Sequence, residues 1–313
     1  MKRRVLALLG LLLLGAVGVG ATWAPDRSAD ALAPRWAPPP STFADIAGLK
    51  VHLRDEGPRD DPHPIVLLHG TSASLHTWEG WVRALVPAHR VITLDLPGFG
   101  LTGPFLEGDY AMAHYVAFVA AALDALSVRS CVLGGSSFGG NIAWETALAY
   151  PDRVERLILV DAAGYERKST SVPIGFKLAR LPVLKYALEY ILPRSVIESS
   201  LRSVYGDPTK VTPELVDRYY ELTLRAGNRR AVGRRLLDAP PGEHAARIPE
   251  LKVPTLILWG ALDRLIVPAD GEHFERDIAG SQRVVFPGLG HVPHEEDPAS
   301  SVVPVLAFLS KAL

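Results

Sequence analysis

Residues 130–140 read SCVLGGSSFGG and decide the fold. The first seven residues have the apolar composition of a buried strand, and two serines among four glycines end the stretch. A G-x-S-x-G pattern between a strand and a helix is typical of a sharp turn that presents a nucleophilic serine, and the flanking positions must be small. Ser137 has glycine two residues before and after it, whereas Ser136 would have Phe138 two residues after it. Ser137 is therefore the candidate nucleophile, with Ser136 as a packing neighbour.

The rest of the chain alternates short apolar runs with helical periodicity, which predicts an α/β doubly wound, mostly parallel sheet. The expected strands are 49–57, 64–70, 90–100, 130–136, 156–164, 254–263 and 283–291, and the expected helices are 74–86, 110–126, 140–150, 268–278 and 299–313. The interval of about 165–250 contains helix-like stretches without a clear strand. It predicts a helical cap over the sheet edge at which ligands bind in such folds.

A serine nucleophile needs a base and an acid that orients the base, and both have candidates at strand ends. His291 follows the last expected strand in GLGHVPHEEDP and is the favoured base. His294 is the alternative, expected on the solvated turn that follows. Asp263 in WGALDRLIVP is the favoured acid, and Asp161 in LVDAAG is its rival.

The stretch LLHGTSAS also ends a strand and supplies a small-residue loop. Its Thr71 N–H and the Phe138 N–H are the expected donors of an oxyanion hole, while their side chains shape the pocket. His69 is expected to brace this loop. Asp95 in LDLPGFG is expected to hold the glycine-rich loop that follows its strand.

Composition excludes several classes of function. The 33 Lys and Arg balance 34 Asp and Glu, so a formal charge of −1 gives no electrostatic footprint for nucleic acid. The single cysteine, Cys131, lies in an expected strand, which rules out an internal disulfide or a thiolate metal cluster. No G-x-G-x-x-G follows the first strand to suggest a nucleotide. Because a serine nucleophile with a base and an acid requires neither a metal nor an organic cofactor, none is expected.

The N-terminus carries a separate signal. Residues 5–24, VLALLGLLLLGAVGVGATWA, follow MKRR and would span about 30 Å as a helix. They predict an uncleaved signal anchor, with a cleaved signal peptide as the alternative. The membrane is thus a predicted partner, and the main domain, 43–313, is predicted outside the cytoplasm, in the periplasm or secreted. Residues 25–42, rich in Pro and Ala, predict a semi-extended tether.

Five ordered motifs resemble the α/β-hydrolase superfamily: HGTSASLHTWEGW, DLPGFGLTG, GGSSFGGNIAWETALAYPDRVERLILVDAAG, VPTLILWGALDRLIVP and GLGHVPHEEDP. The resemblance covers essentially residues 43–313. It implies the α/β-hydrolase fold, a mostly parallel doubly wound sheet with a helical cap inserted after the sixth strand. The roles it implies are nucleophile for Ser137, acid for Asp263, base for His291, and oxyanion donors for Thr71 and Phe138.

The reaction implied by this resemblance is acyl transfer to water without a cofactor. A serine at the elbow excludes relatives that use aspartate there, such as haloalkane dehalogenases and epoxide hydrolases. We expect a carboxylic-ester hydrolase of lipase or monoacylglycerol-lipase type, acting on a small-molecule or lipid-like ester, because a membrane tether suits such substrates. The alternatives are a carbon–carbon bond hydrolase of ring-cleavage products and a non-catalytic binding protein of this fold.

Overall fold

The computed structural model describes residues 22–166, 168–179, 190–238 and 242–311. Within these residues one sheet contains eight strands in the order β1-β2-β4-β3-β5-β6-β7-β8. The strands are β1 Thr42–Ile46, β2 Leu49–Glu56, β3 Ile65–Leu68, β4 Val91–Leu94, β5 Cys131–Ser136, β6 Val154–Val160, β7 Thr255–Gly260 and β8 Gln282–Phe286.

Strand direction and burial match the predicted class. The pairs β1–β2 and β2–β4 are antiparallel, and the other neighbouring pairs are parallel. Every residue of β3, β4, β5 and β7 is buried, which accounts for their continuous apolar sequences. The prediction of an α/β-hydrolase fold is confirmed. The sequence analysis missed β1, an edge strand in which only Ile46 is buried.

Helices cover both faces of the sheet, and a large apolar cluster lies on each side. Cys131 is fully buried in the first of these clusters, as expected. The α-helices are α1 Ala29–Trp36, α2 Glu79–Leu85, α3 Met112–Ala125, α4 Phe138–Ala149, α5 Ile174–Ala179, α6 Arg194–Val204, α7 Pro213–Thr223, α8 Asn228–Asp238, α9 Pro268–Asp277, α10 Pro293–Glu296, α11 Pro298–Ser301 and α12 Val303–Leu309.

The cap follows β6, the sixth strand, at the predicted position. In the described part of the predicted interval it consists of α5 to α8, which connect β6 to β7 with two short 3₁₀ helices, Pro208–Lys210 and Ala245–Glu250. Helices α6 and α7 pack on each other around buried Leu201 and Val216. The interval from β6 to β7 thus has its own small apolar core.

The segment 25–42 differs from the semi-extended tether that its composition predicts. It contains α1, which is capped by the Ser28 hydroxyl and docks on cap helix α7. The Glu221 carboxylate of α7 accepts from Arg35 Nη1 and from Trp36 Nε1, both at 2.7 Å. These contacts fold the segment back onto the cap.

The predicted anchor, residues 5–24, lies outside the described residues except for its last three. Thr22 O accepts from Leu192 N–H at 3.0 Å, and Ala24 N–H donates to Tyr190 O at 2.9 Å. No helix among the described residues combines the length and the apolar character that crossing a membrane requires.

The contact between α1 and α7 can be tested by mutation. We expect Glu221→Ala to lower the free energy of unfolding by about 1–3 kcal/mol, because Arg35 and Trp36 lose their acceptor in a partly buried contact. Glu250→Ala is the matched control. Its side chain is 55% exposed, against 18% for Glu221, and its pairing with Arg247 is worth at most about 1 kcal/mol. Urea unfolding measures the free energy of unfolding of both variants, and equal losses in the two would contradict the docking of α1 on α7.

Candidate active site

Ser137 lies at the turn between β5 and α4. Its φ of +54° is a left-handed backbone conformation that is uncommon for a residue with a side chain. Three hydrogen bonds hold the turn. Ser137 N–H donates to Val160 O at 2.9 Å, and Ser137 O accepts from Asn141 N–H at 3.1 Å and from Ala163 N–H at 2.9 Å. The surrounding fold therefore imposes the conformation that places this serine at the cavity.

The glycines around Ser137 are required by close contacts. A Cβ on Gly135 would lie 2.2 Å from Gly139 O, and a Cβ on Gly139 would lie 2.2 Å from Leu68 O. Neither position accepts a larger residue without displacing backbone. These contacts support the glycine argument for Ser137. Ser136, the last residue of β5, is 1% exposed, against 9% for Ser137.

The close packing at the turn between β5 and α4 leads to a prediction about Gly139. We expect Gly139→Ala to lower the free energy of unfolding by about 1–3 kcal/mol and to reduce hydrolase activity, because its methyl group would press on the β3 backbone. Gly233→Ala in α8 is the control. An added methyl there meets nothing within 4 Å, and alanine favours a helix by about 1 kcal/mol over glycine. Thermal unfolding and kcat/KM should separate the two variants, and a wild-type-like Gly139→Ala would contradict this account.

Asp263 and His291 form a buried pair at the ends of β7 and β8. His291 Nδ1 lies 2.6 Å from Asp263 Oδ2, and Asp263 Oδ1 accepts from the N–H groups of Leu265 at 2.7 Å and Ile266 at 3.0 Å. The backbone donors fix the carboxylate, and the carboxylate fixes the ring. With Nδ1 donating to Asp263, Nε2 is the ring atom that can accept a proton.

The loop that carries His291 is bonded to the cap. His291 N–H donates to Val204 O, the last residue of α6, at 2.7 Å. The Glu296 carboxylate accepts from Gly290 N–H at 2.8 Å and from Gly206 N–H at 2.9 Å, so it joins the histidine loop to the end of α6. The sequence analysis missed Glu296 because an acid in GLGHVPHEEDP reads as solvent-exposed. Only the neighbouring cap shows its role.

His294 does not lie on a solvated turn, so that prediction is wrong. Its ring is 1% exposed and packs 4.2 Å from the Trp78 ring, and its Nε2 is 3.1 Å from Thr77 Oγ1. Burial lowers the pKa of His294 to about 3, so the ring is neutral at physiological pH. His294 lines the same cavity as His291.

His69 and Asp95 have the bracing roles that the sequence predicts. His69 accepts from Leu96 N–H at its Nε2, at 3.0 Å, and its Nδ1 donates to Gly70 O at 2.7 Å. Asp95 accepts from Leu101 N–H at 2.8 Å, across the glycine-rich loop. Both side chains are fully buried, and both predictions are confirmed.

A cavity of about 170 Å³ lies over Ser137 and His291. Thr71, an expected oxyanion donor, lines it beside Ser137. Much of the described lining is aliphatic and comes from the cap and the neighbouring loops, namely Leu192, Val196, Ile197, Leu201, Val204, Val232 and Leu265. The site therefore presents a small polar end under an apolar roof.

Phe138, the other expected oxyanion donor, is the first residue of α4, so its N–H has no acceptor within the helix. The position of its ring differs from the expectation that the ring shapes the pocket. The ring packs in the core, 4.9 Å from Tyr115, and the Arg235 guanidinium lies 4.2 Å from its centre. These contacts fix the start of α4 from beneath.

Asp161, the rival acid, lies at the same edge of the sheet. One side-chain atom each of Asp161, Asp263 and His291 lies within 4.8 Å of the others, so the fold brings both predicted acids to the histidine. Asp161 Oδ1 accepts from Gly260 N–H at 3.0 Å. Burial, and next the negative charge of Asp263, raise the pKa of Asp161 well above its usual range.

The comparisons with known proteins agree with this geometry. The family model of the alpha/beta hydrolase fold matches residues 63–298, and the chain belongs to this family. A 2-hydroxy-6-oxo-2,4-heptadienoate hydrolase of Pseudomonas putida is 30% identical over 78% of this chain and 87% of its own.

Two solved structures are also similar to the chain. A meta-cleavage product hydrolase from Pseudomonas fluorescens has a TM-score of 0.74 at 26% identity, over 86% of this chain and 97% of its own. A membrane phospholipase A, described as a bacterial virulence factor, has a TM-score of 0.71 at 25% identity, over 99% of this chain and 98% of its own.

The predicted location needs correction. Membrane anchoring through residues 5–24 and a domain outside the cytoplasm, periplasmic or secreted, are not supported. The described residues hold no membrane-spanning helix, and the ring-cleavage hydrolases match most of the chain. We withdraw that prediction. A small-molecule substrate remains in agreement with the hydrolase relatives.

Proposed function

We propose that this hydrolase works through Ser137, His291 and Asp263 and an acyl-enzyme intermediate. The observation that carries the proposal is the 2.6 Å contact between Asp263 and His291 at the cavity that Ser137 also lines. His291 Nε2 takes the Ser137 proton as the hydroxyl attacks a carbonyl carbon. Asp263 keeps the ring in the required tautomer and stabilises its positive charge.

The backbone N–H groups of Thr71 and Phe138 are proposed to hold the oxyanion. Preorganised donors of this kind are worth roughly 10²–10³ in rate each. The leaving group departs with the proton from His291. Water then attacks the acyl group, with His291 again as base, and releases Ser137.

The substrate class that the relatives support is a ring-cleavage product, in which a carbon–carbon bond next to a ketone is broken. This supports the alternative of the sequence analysis better than the ester hydrolase it favoured. Ser137 would add to the ketone, and the bond to the neighbouring carbon would break. That carbon would take the proton from His291 as the bond breaks, and the acyl group would stay on Ser137 until water releases it.

A carboxylic ester is the second candidate, and the cavity lining is the specific observation in its favour. Arg229 is the one Lys or Arg among the lining residues that the structure describes, and its guanidinium donates to Asp26. An apolar roof suits an acyl chain better than a carboxylate-bearing dienone. The similarity to a phospholipase over nearly the whole chain also supports this candidate.

The nucleophile and the acid are tested in one series on full-length protein. We expect Ser137→Ala to reduce kcat by at least about 10³-fold, and Asp263→Asn by up to about 10⁴-fold through loss of the correct His291 tautomer. Ser136→Ala is the control, with a change of less than about tenfold expected. Undiminished turnover by Ser137→Ala would overturn the proposal for either substrate class.

The two substrate classes are separated by one pair of assays. If carbon–carbon cleavage is the activity, kcat/KM for 2-hydroxy-6-oxo-2,4-heptadienoate, followed by loss of its absorbance, exceeds that for every p-nitrophenyl ester from acetate to palmitate. The reverse order assigns the chain to esters. Arg229→Gln sharpens the comparison. Because Asp26 holds the Arg229 guanidinium, an ester hydrolase should keep its KM for esters in this variant, whereas a raised KM for the dienoate alone would support carbon–carbon cleavage. Arg234→Gln, in an exposed pair with Asp238, is the matched control.

A further inference from the structure

Asp161 is a buried carboxyl group that the proposed mechanism does not use. It follows β6 directly and has a φ of +43°, a left-handed conformation that is uncommon for residues other than glycine. It has no exposed surface. The titratable groups that face it are Asp263, His291 and Glu296.

The hydrogen bonds around Asp161 indicate which form it takes. Its Oδ1 accepts from Gly260 N–H at 3.0 Å, while no N–H or hydroxyl donor of the described residues reaches its Oδ2. The Asp263 carboxyl group lies next to it, with one oxygen of each side chain within 4.8 Å of the other. Two carboxyl groups can share a hydrogen bond only if one of them carries a proton. Asp263 already accepts from His291 and from two backbone N–H groups, so the proton belongs to Asp161.

We propose that Asp161 is a positioning residue that, as a neutral acid, donates a hydrogen bond to Asp263 and replaces it as the carboxylate partner of His291 when Asp263 is removed. The inference rests on the proposed function. The second part follows from electrostatics. Asp263→Asn removes the negative charge beside Asp161, so Asp161 ionises more readily and supplies a carboxylate within reach of the ring.

The test compares Asp263→Asn with Asp263→Asn/Asp161→Asn. We expect the double variant to have at least tenfold lower kcat than Asp263→Asn, whose remaining activity should rise with pH as Asp161 ionises. Asp263→Asn/Asp277→Asn is the control, because Asp277 lies far along α9 and pairs with Arg276. Equal activity and equal pH profiles in all three variants would overturn the replacement role.

A second measurement does not depend on activity. Infrared spectra at neutral pH should show the carbonyl band of a protonated carboxylic acid in the wild type and not in Asp161→Asn. The pKa of Asp161 is raised in the folded state, so above pH 4 the folded chain binds more protons at this residue than the unfolded chain does. The contribution of Asp161 to wild-type stability therefore falls as pH rises. The Tm of Asp161→Asn relative to wild type should therefore rise between pH 5 and pH 8.

The outcomes separate the two proposals. If the infrared band is absent and the Tm difference between Asp161→Asn and wild type is constant with pH, the proposal that Asp161 is a neutral acid is overturned. Full activity of Ser137→Ala would overturn the proposed function and leave the infrared result standing. Asp161→Leu gives a further contrast, since leucine neither donates to Asp263 nor accepts from Gly260 N–H. We expect a lower kcat for Asp161→Leu than for Asp161→Asn, and equal values would contradict positioning through the hydrogen bond.

Discussion

The close packing of α4 against the sheet at Ser137 is the constraint on which the rest of the site depends. Gly135 and Gly139 let the helix begin in contact with the β3 and β5 backbones. The same turn is bonded to the end of β6, through Ser137 N–H to Val160 O and Ala163 N–H to Ser137 O. The proposed nucleophile and the segment that holds Asp161 are therefore fixed by one set of contacts.

Strand order completes the site from distant parts of the chain. Because β5, β6, β7 and β8 are consecutive parallel neighbours, their carboxyl ends meet at one edge of the sheet. Ser137, Asp161, Asp263 and His291 each follow one of these strands, in that order. Because these strands are held in the sheet, the positions of their carboxyl ends are fixed. Short loops after the strands are then enough to bring the four side chains together.

The same topology explains how far the sequence could predict the site. Glycine spacing identified Ser137, and strand ends identified the other candidates, because both signals are local. The choice between Asp161 and Asp263 is not local, since both lie within reach of His291. The choice of acid depends on which carboxylate accepts hydrogen bonds from the backbone N–H groups of its own loop. The apolar periodicity of the sequence does not reveal the conformation of that loop.

Contacts between distant segments account for two of the predictions that failed. His294 is buried because the Trp78 ring and Thr77 cover it, and both precede it by more than 200 residues. The segment 25–42 folds because Glu221 in the cap accepts from two of its side chains. Neither partner is visible in the local composition.

The cap is bonded to the loop of the proposed base, His291, and also lines the cavity. Beyond the bonds of Val204 and Glu296 to the histidine loop, the neighbouring Glu295 accepts from Tyr205 and Tyr219 at 3.0 and 2.8 Å and pairs with partly buried Arg218. Burying such a pair brings little net stability, since desolvation offsets its attraction, but it penalises any other arrangement of α6 and α7. A displacement of these helices that widened the cavity would also shift His291 from Asp263. The shape of the cavity and the alignment of the proposed base are thus coupled, because the cap lines the one and is bonded to the loop that carries the other.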